Sequence, residues 1–505
     1  MASHPLLRQW PASARDTLPL ALWSAAEIAG ATGGTASCDF QCGGVEIDSR
    51  DVREGDLFFA LIGEAMDGHR FLDSAFAKGA VAAIVDRPIA QPHILVADTN
   101  AALVLLATAA RNRGSARRIA VTGSVGKTGV KEALFAALDR SSHGATHRSV
   151  RSYNNHVGVP LSLARMPARS RYGVFEMGMN HAGEIAKLTQ HVQPHVALIT
   201  TIAPAHIENL GSIEAIADAK AEIFDGLVAG GHAVIPADSD QFARLRDAAS
   251  ATRAKVVSFG RSAHADVRLL DAIPVPTGGS LVTAELGAAA GNMRVCYEIA
   301  APGDHWIDNS LAVMACVQAV GGDLGAAGLA LAEMGGLKGR GARHRFAVAG
   351  GHAVLMDESY NANPASMRAT LAQLGQTPAH RRIAVLGSMK ELGDFSRRFH
   401  QQLAEPLAEA CVDFAVLVGD DMRSLAAHLG KGAGGALVGG LSFAHCDGPA
   451  DAILALDEFG LTAGDAVLVK GSNSVGLSAV VDHFTAPGTQ AGAGQDAGQI
   501  MGRDG

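Results

Sequence analysis

The chain has 505 residues, 48% hydrophobic and 18% charged, enough apolar material for about three globular units. Its 42 basic and 50 acidic residues leave a formal charge of −8, which argues against nucleic acid as the main partner. Six scattered cysteines show neither a CxxC pair nor a zinc spacing and make no disulfide framework, so a reducing, cytoplasmic setting is expected.

The N-terminus lacks an apolar core of the signal-peptide kind. Between about residues 17 and 98 short strands, turns and helices mix, with Leu57–Leu61 and Ala80–Val85 as buried strands. Ala101–Arg111 reads as a helix, too short to span a bilayer, and leads into the basic stretch Arg113–Arg118, expected to be solvated. From Ile119 strands and helices alternate. Gly173–Glu176, Val196–Thr201 and His232–Ile235 read as strands; Ala182–His191 and Ile213–Leu227 read as helices, the second with Ser212 as N-cap. Such alternation implies a mainly parallel sheet flanked by helices. A second series holds the strands Val354–Asp357, Ile383–Leu386, Phe414–Val418 and Ala466–Val469, after a glycine-rich stretch, Gly335–Gly341, expected to be a hinge. From about Ala486 the chain has no apolar period and is expected to be disordered.

The segment Thr122-Gly123-Ser124-Val125-Gly126-Lys127-Thr128 directly follows the apolar run Ile119–Val121. A strand entering a glycine-rich turn and then a helix lets backbone N–H groups converge on phosphate oxygens, with the helix dipole assisting. Lys127 supplies a point charge and the Thr128 hydroxyl a Mg²⁺ ligand. Val121 stands where the common G-x-x-x-x-G-K-[ST] loop has its first glycine, so the loop is a compressed form, which points away from generic P-loop NTPases. Glu176 ends a strand, where sites form in open parallel sheets, and a carboxylate there suits Mg²⁺. His206 follows the next strand. Asp357-Glu358-Ser359-Tyr360-Asn361 closes a later strand; it reads equally as a set of ribose and base contacts or as a turn opening a helix. Asn154-Asn155 reads as a polar turn, and Lys220 by pattern alone as a surface lysine.

Taken together these segments resemble the Mur ligase family. Thr122–Thr128, Asn154-Asn155-x-x-Gly158-Val159-Pro160, Glu176-Met177-Gly178, His206, Lys220, His305-x-x-x-Asn309, Gly339-Arg340 and Asp357–Pro364 stand in its order and approximate spacing, over roughly residues 20 to 480. Asp48-Ser49-Arg50, Asp67-Gly68-His69-x-Phe71 and Leu386-Gly387-Ser388-Met389-x-Glu391-Leu392-Gly393 are most similar to the branch that joins D-alanyl-D-alanine (D-Ala-D-Ala) to UDP-N-acetylmuramoyl-tripeptide (UDP-MurNAc-tripeptide). Ser388 replaces the usual Asp, and Asn473 the usual Arg after Lys470-Gly471-Ser472. The neighbouring branch that forms the tripeptide carries a D-N-P-R segment, absent here. That branch, a folate-polyglutamating enzyme and a regulatory P-loop ATPase are the alternatives.

The resemblance implies an α/β chain of three domains: a UDP-substrate domain over residues 17–112, a central P-loop ATPase domain over 113–335, and a C-terminal Rossmann-like domain over 336–485, then a tail over 486–505. It implies ATP-dependent amide formation through an acyl phosphate. Gly123, Ser124, Val125, Gly126, Lys127 and Thr128 would hold the nucleotide phosphates, with Asn309, Arg340, Asp357 and Asn361 as further nucleotide contacts. Thr128 and Glu176 would hold one Mg²⁺; His206 and Lys220, the latter as a CO₂-derived carbamate, would hold a second. Lys127, His206 and Lys220 are the implied catalytic groups, and Ser49, Arg50, Asn154 and Asn155 the implied contacts to the UDP substrate. Besides the two substrates no nucleic-acid or membrane partner is expected, and a monomer is.

Overall fold

A computed structural model of the chain describes residues 21–486 apart from 65, 276–277, 288–291 and 431–440. The tail expected from Ala486 falls almost wholly outside the described residues. Three larger sheets organise the described residues, each followed or flanked by helices, besides a two-stranded one that pairs Trp23–Ser24 with Gln41–Cys42.

The first sheet uses β1 (Thr35–Ala36), β2 (Gly44–Glu46), β3 (Asp56–Phe59), β4 (Ala82–Val85) and β5 (His93–Leu95) in the order β1-β5-β4-β3-β2. The helix α1 (Thr99–Asn112) leads from it to the second sheet, with Asp98 capping its first amides. Leu103 and Leu106 on α1 share a core with Leu161 and Ala164 from further along the chain. The stretch expected to be solvated is instead wedged at this junction. Arg113 lies over the Trp23 ring and donates to the Leu22 and Met166 carbonyls, while buried Arg118 donates to those of Val192 and Gln193. Planar guanidinium groups satisfy several carbonyls at once, which lets them be buried without a carboxylate partner.

The second sheet has nine strands. β6 (Arg117–Thr122) feeds the phosphate loop and then α2 (Lys127–Ser142). β7 (Thr146–Arg148), α3 (Gly158–Ala164), β8 (Tyr172–Glu176), α4 (Glu184–Val192), β9 (Val196–Ile199), α5 (Ile213–Ala221), β10 (His232–Pro236) and β11 (Lys255–Gly260) follow. β6 pairs in parallel with β8 on one side and β9 on the other, so the chain order reverses beside it. Ile119 and Val121 face one helical layer and Ala120 the other, because strand side chains alternate and both faces are covered.

The parallel reading is incomplete. β12 (Val267–Pro274), β13 (Ser280–Leu286) and β14 (Met293–Ile299) extend this sheet, and β13 and β14 run antiparallel to their neighbours. The helix expected over Ile213–Leu227 stops at Ala221 and tightens into a 3₁₀ turn over Glu222–Gly226. There the Glu222 carboxylate accepts from the Gly183 and Ala186 amides at 2.6 and 3.1 Å, capping the start of α4.

The third sheet takes β15 (Ala342–Val348), β16 (Gly351–Glu358), β17 (Arg382–Gly387), β18 (Phe414–Val418), β19 (Ser442–Cys446) and β20 (Ala466–Lys470) in the order β15-β16-β20-β17-β18-β19. All pairs are parallel except β15 with β16. Residues 335–341, expected as a hinge, form a turn in which Leu337 bridges Arg340 and the Gly339 amide donates to Asp357 Oδ2 at 2.6 Å.

Candidate active site

Parallel register brings the carboxyl ends of three central strands together: Thr122 lies opposite Ile199, and Val121 opposite Glu176. Crevices at such a reversal of strand order are where ligands bind in open α/β sheets. The loop leaving β6 bends through Gly123 (φ +148) and Gly126 (φ +86). A Cβ on Gly123 would strike the Thr200 hydroxyl, so only glycine fits there. The loop is tied to the end of β9. Thr200 Oγ1 donates to the Val125 carbonyl at 2.5 Å, Ser124 Oγ donates to the Ala203 carbonyl at 2.8 Å, and the Ser124 amide donates to the Thr201 carbonyl at 2.8 Å.

Lys127 opens α2 and folds back to donate to the Gly123 carbonyl at 2.6 Å. Burial lowers its pKa, and the nearby Glu176 charge opposes that shift. Thr128 Oγ1 donates to Glu176 Oε2 at 2.9 Å; Asn154 Nδ2 donates to Glu176 Oε1 at 2.8 Å. Glu176 is 1% exposed and would be costly to bury without these donors. Lys131, fully buried one helical turn on, sits 3.9 Å from Glu176 Oε2 and donates to the Arg151 carbonyl at 2.6 Å.

His206 holds left-handed backbone (φ 60), and its Nδ1 lies 2.5 Å from Glu391 Oε2, a residue of the third sheet's unit. That contact holds the Glu391 carboxyl below the usual range, against its own burial. Lys220 projects from α5 and is 2% exposed, with no hydrogen bond or ion pair among the described residues. Burial, reinforced by the Lys127 charge, holds it well below the usual lysine range.

A cavity of about 320 Å³ is lined by Lys127, Glu176 and Asn309 on the central side and by Arg340, Asn361 and Lys470 on the other; Gly123, Thr128 and Lys220, also expected in the site, are not in its lining. Ser124, Val125, Gly126, Asn154 and His206 also line it. Asn309 Oδ1 stands 3.0 Å from the position of a Gly126 Cβ. Arg340 stacks on Tyr360 with its guanidinium carbon 4.2 Å from the ring centroid.

Other expected site residues lie elsewhere. Asp357 is 1% exposed and outside the lining: one oxygen accepts from the Gly339 amide, the other from the Ser359 amide and hydroxyl. Asn155 Oδ1 accepts from the Gly158 amide at 2.9 Å at the start of α3. Ser49 is buried; Arg50 is largely exposed and paired with Asp48 at 2.6 Å, away from the cavity.

Among the lining residues not assigned to the site from sequence are Lys470 and Glu358, which stood there only within motifs. Lys470 donates to the Asn361 carbonyl at 2.9 Å and lies 3.6 Å from Glu358; burial drives both members of this pair toward their neutral forms. The available signal was a lysine closing the apolar run Ala466–Val469, a charge at a strand's carboxyl end.

Among the described residues no three His, Cys, Asp or Glu side chains cluster as a self-sufficient metal cage. The Thr128–Glu176 pair still fits Mg²⁺, which takes one or two protein oxygens and fills its sphere with water and substrate phosphate.

Three family models match the chain: "Mur ligase family, catalytic domain" over residues 42–114, "Mur ligase middle domain" over 121–317, and "Mur ligase, glutamate ligase domain" over 344–473. The UDP-N-acetylmuramoyl-tripeptide–D-alanyl-D-alanine ligase of Escherichia coli is 36% identical over 396 residues, 78% of this chain and 85% of that protein. A crystal structure of MurF from Acinetobacter baumannii superposes with a TM-score of 0.77 at 31% identity, covering 93% of this chain and 100% of that one. The MurF ligase of Thermotoga maritima in complex with ADP gives 0.70 at 26%, covering 88% and 97%.

Proposed function

The chain belongs to the Mur ligase family, and from that premise we propose that it joins D-Ala-D-Ala to UDP-MurNAc-tripeptide at the expense of ATP, in peptidoglycan precursor synthesis. The carrying observation is the single cavity in which the phosphate loop and Glu176 of one unit face Arg340, Asn361 and Lys470 of another. A site for one nucleotide and two further substrates needs walls from more than one unit, and these walls carry the cations that a polyphosphate demands. No helix among the described residues is long and apolar enough to cross a membrane. Part of the same proposal is that the enzyme works in the cytoplasm as a monomer.

The reaction needs little covalent chemistry from the protein; positioning and charge neutralisation supply it. The tripeptide carboxylate attacks the γ-phosphoryl group, and the amine of D-Ala-D-Ala then displaces phosphate from the acyl carbon. The loop amides of residues 123–126 and the α2 dipole cradle phosphate oxygens. Lys127, now donating to its own loop, has only to swing from the Gly123 carbonyl to a phosphate oxygen. Arg340 and Lys470 neutralise charge from the far wall. Thr128 and Glu176 would hold one Mg²⁺, and His206 with Lys220 as a carbamate a second, each lowering the repulsion between approaching anions. Asn154 orients Glu176, and Asp357 braces the turn carrying Arg340.

Phosphate release with ATP and UDP-MurNAc-tripeptide, with and without D-Ala-D-Ala, tests this reading. Release is expected to require both substrates. Release that ignores the dipeptide points to a regulatory ATPase, and the tripeptide-forming activity would instead use UDP-MurNAc-dipeptide and a diamino acid.

A further inference from the structure

A second cavity of about 230 Å³ adjoins the first, walled by Ser124, Lys127 and His206 from the central unit and by Lys390, Glu391 and Asn473 from the C-terminal one. The two share Ser124, Lys127, His206, Asn361 and Asn363, so they meet at the phosphate loop and at the facing C-terminal turn. Among the described residues lining the second cavity Glu391 is the one acid. We propose that Glu391 receives the ammonium group of the incoming amine substrate and holds it beside the phosphate loop, making the second cavity the amine-substrate pocket. The assignment rests on the amide-ligase reading above.

The argument is one of charge and geometry. A carboxylate facing a polyphosphate cradle is repelled by the nucleotide and is tolerated there only beside a cation. Of the two lysines lining this cavity, Lys390 Nζ is engaged by Asp421 at 2.7 Å, and Lys127, whose charge reaches Glu391, donates to the Gly123 carbonyl at 2.6 Å. His206 Nδ1 lies 2.5 Å from Glu391 Oε2. The reaction brings a cation of its own, since an α-amine arrives protonated at neutral pH. Glu391 is 49% exposed, so its carboxylate is open to a ligand rather than sealed in a core pair. Both Glu391 (φ 63) and His206 (φ 60) hold left-handed backbone without being glycine, the kind of strain found where a contact is over-determined by its surroundings. The turn after Glu391 presses on the other wall: a Cβ on Gly393 would lie 3.0 Å from Glu208 Cγ.

Held there, the ammonium gives one proton to water. Its lone pair forms the C–N bond while the C–O bond to phosphate breaks. The departing phosphate keeps that electron pair and takes up a second proton from the nitrogen.

The test compares Glu391→Gln and Glu391→Asp with the wild type in the presence of hydroxylamine or D-Ala-D-Ala. For Glu391→Gln the KM for D-Ala-D-Ala is expected to rise about tenfold or more, as loss of a charge-assisted hydrogen bond implies. The KM values for ATP and UDP-MurNAc-tripeptide, the Mg²⁺ requirement and the melting temperature should stay near wild type. Hydroxylamine is uncharged at neutral pH, so its capture of the acyl phosphate as a hydroxamate should be unaffected. Glu391→Asp should recover part of the dipeptide affinity. An unchanged dipeptide KM overturns the assignment. So does a matching loss of hydroxamate formation or a raised Mg²⁺ requirement, either of which places Glu391 on the nucleotide side. If the wild type itself releases phosphate without the dipeptide, it is the amide-ligase reading that fails.

Discussion

Lys220 lies on a helix whose pattern alone makes it a solvated lysine, yet it is 2% exposed and close enough to Lys127 to feel its charge. An ammonium there is opposed by burial and by a like charge, so the amine is driven toward its neutral form. The neutral amine is the form that adds CO₂, and under the proposed reading the carbamate would be an oxygen-bearing anion suited to Mg²⁺. Lys220→Ala should lower turnover about a hundredfold or more, the scale of losing one electrostatic contact at a reacting phosphate. Formate or acetate should restore part of the phosphate release by occupying the vacated space. The variant should melt no lower than wild type, because an unpaired buried amine has been removed. Normal activity in the variant, insensitive to added carboxylate, would refute the role.

At the level of elements, α5 carries Lys220, and Ser212 sets where that helix begins. Its side chain accepts from the Ala215 amide at 3.1 Å. Ser212→Ala is expected to cost about 1 kcal/mol of stability, read from urea unfolding, and to loosen the turn that precedes Lys220. The buried strands that were expected lie within three residues of those observed: Phe414–Val418 is observed as such, Ala466–Val469 gains only Lys470, and Val354–Asp357 starts at Gly351, whereas the parallel strands Thr146–Arg148, Lys255–Gly260 and Ser442–Cys446 were not expected. Strands covered on both faces read as continuous apolar runs bounded by turn residues, a signal that local sequence carries in full. The arm β12–β14 escaped because its burial is partial and irregular, leaving β12 without clean alternation. The early end of α5 escaped because its cause is tertiary: Glu222 is spent on the amides of a helix some 40 positions earlier.

Over the whole molecule, the main cavity exists only because the second and third sheets face each other across the turn at 335–341. That turn is pinned by the Gly339 amide donating to Asp357 Oδ2, the Gly341 amide donating to the Asp357 carbonyl and the Tyr360 amide donating to the Gly339 carbonyl, and it carries Arg340 onto the cavity wall. A nucleotide that bridges both walls should therefore tighten the turn. Hydrogen exchange at residues 336–341 is expected to slow when a non-hydrolysable ATP analogue and Mg²⁺ are added. At about a hundredfold excess over Kd the folded state should gain about 2.7 kcal/mol, visible as a raised melting temperature. Unchanged exchange in that segment, with the analogue bound, would mean that the turn is not coupled to nucleotide binding.

The amino-acid sequence alone determined the phosphate loop, the family, the two alternating α/β series and the placing of Glu176 at a strand end, whereas His206 lies seven residues beyond the strand it was expected to end. Each of these follows from contiguous pattern: glycines where backbone must approach an anion, apolar runs where strands are buried. Only the tertiary structure decided that Lys220 is buried, that Asp357 braces a turn, that Asn154 orients Glu176, and that Arg340, Lys470 and Glu391 reach the loop. Those are contacts between residues far apart in the chain. Their charge and hydrogen-bond partners come from packing that no local period encodes.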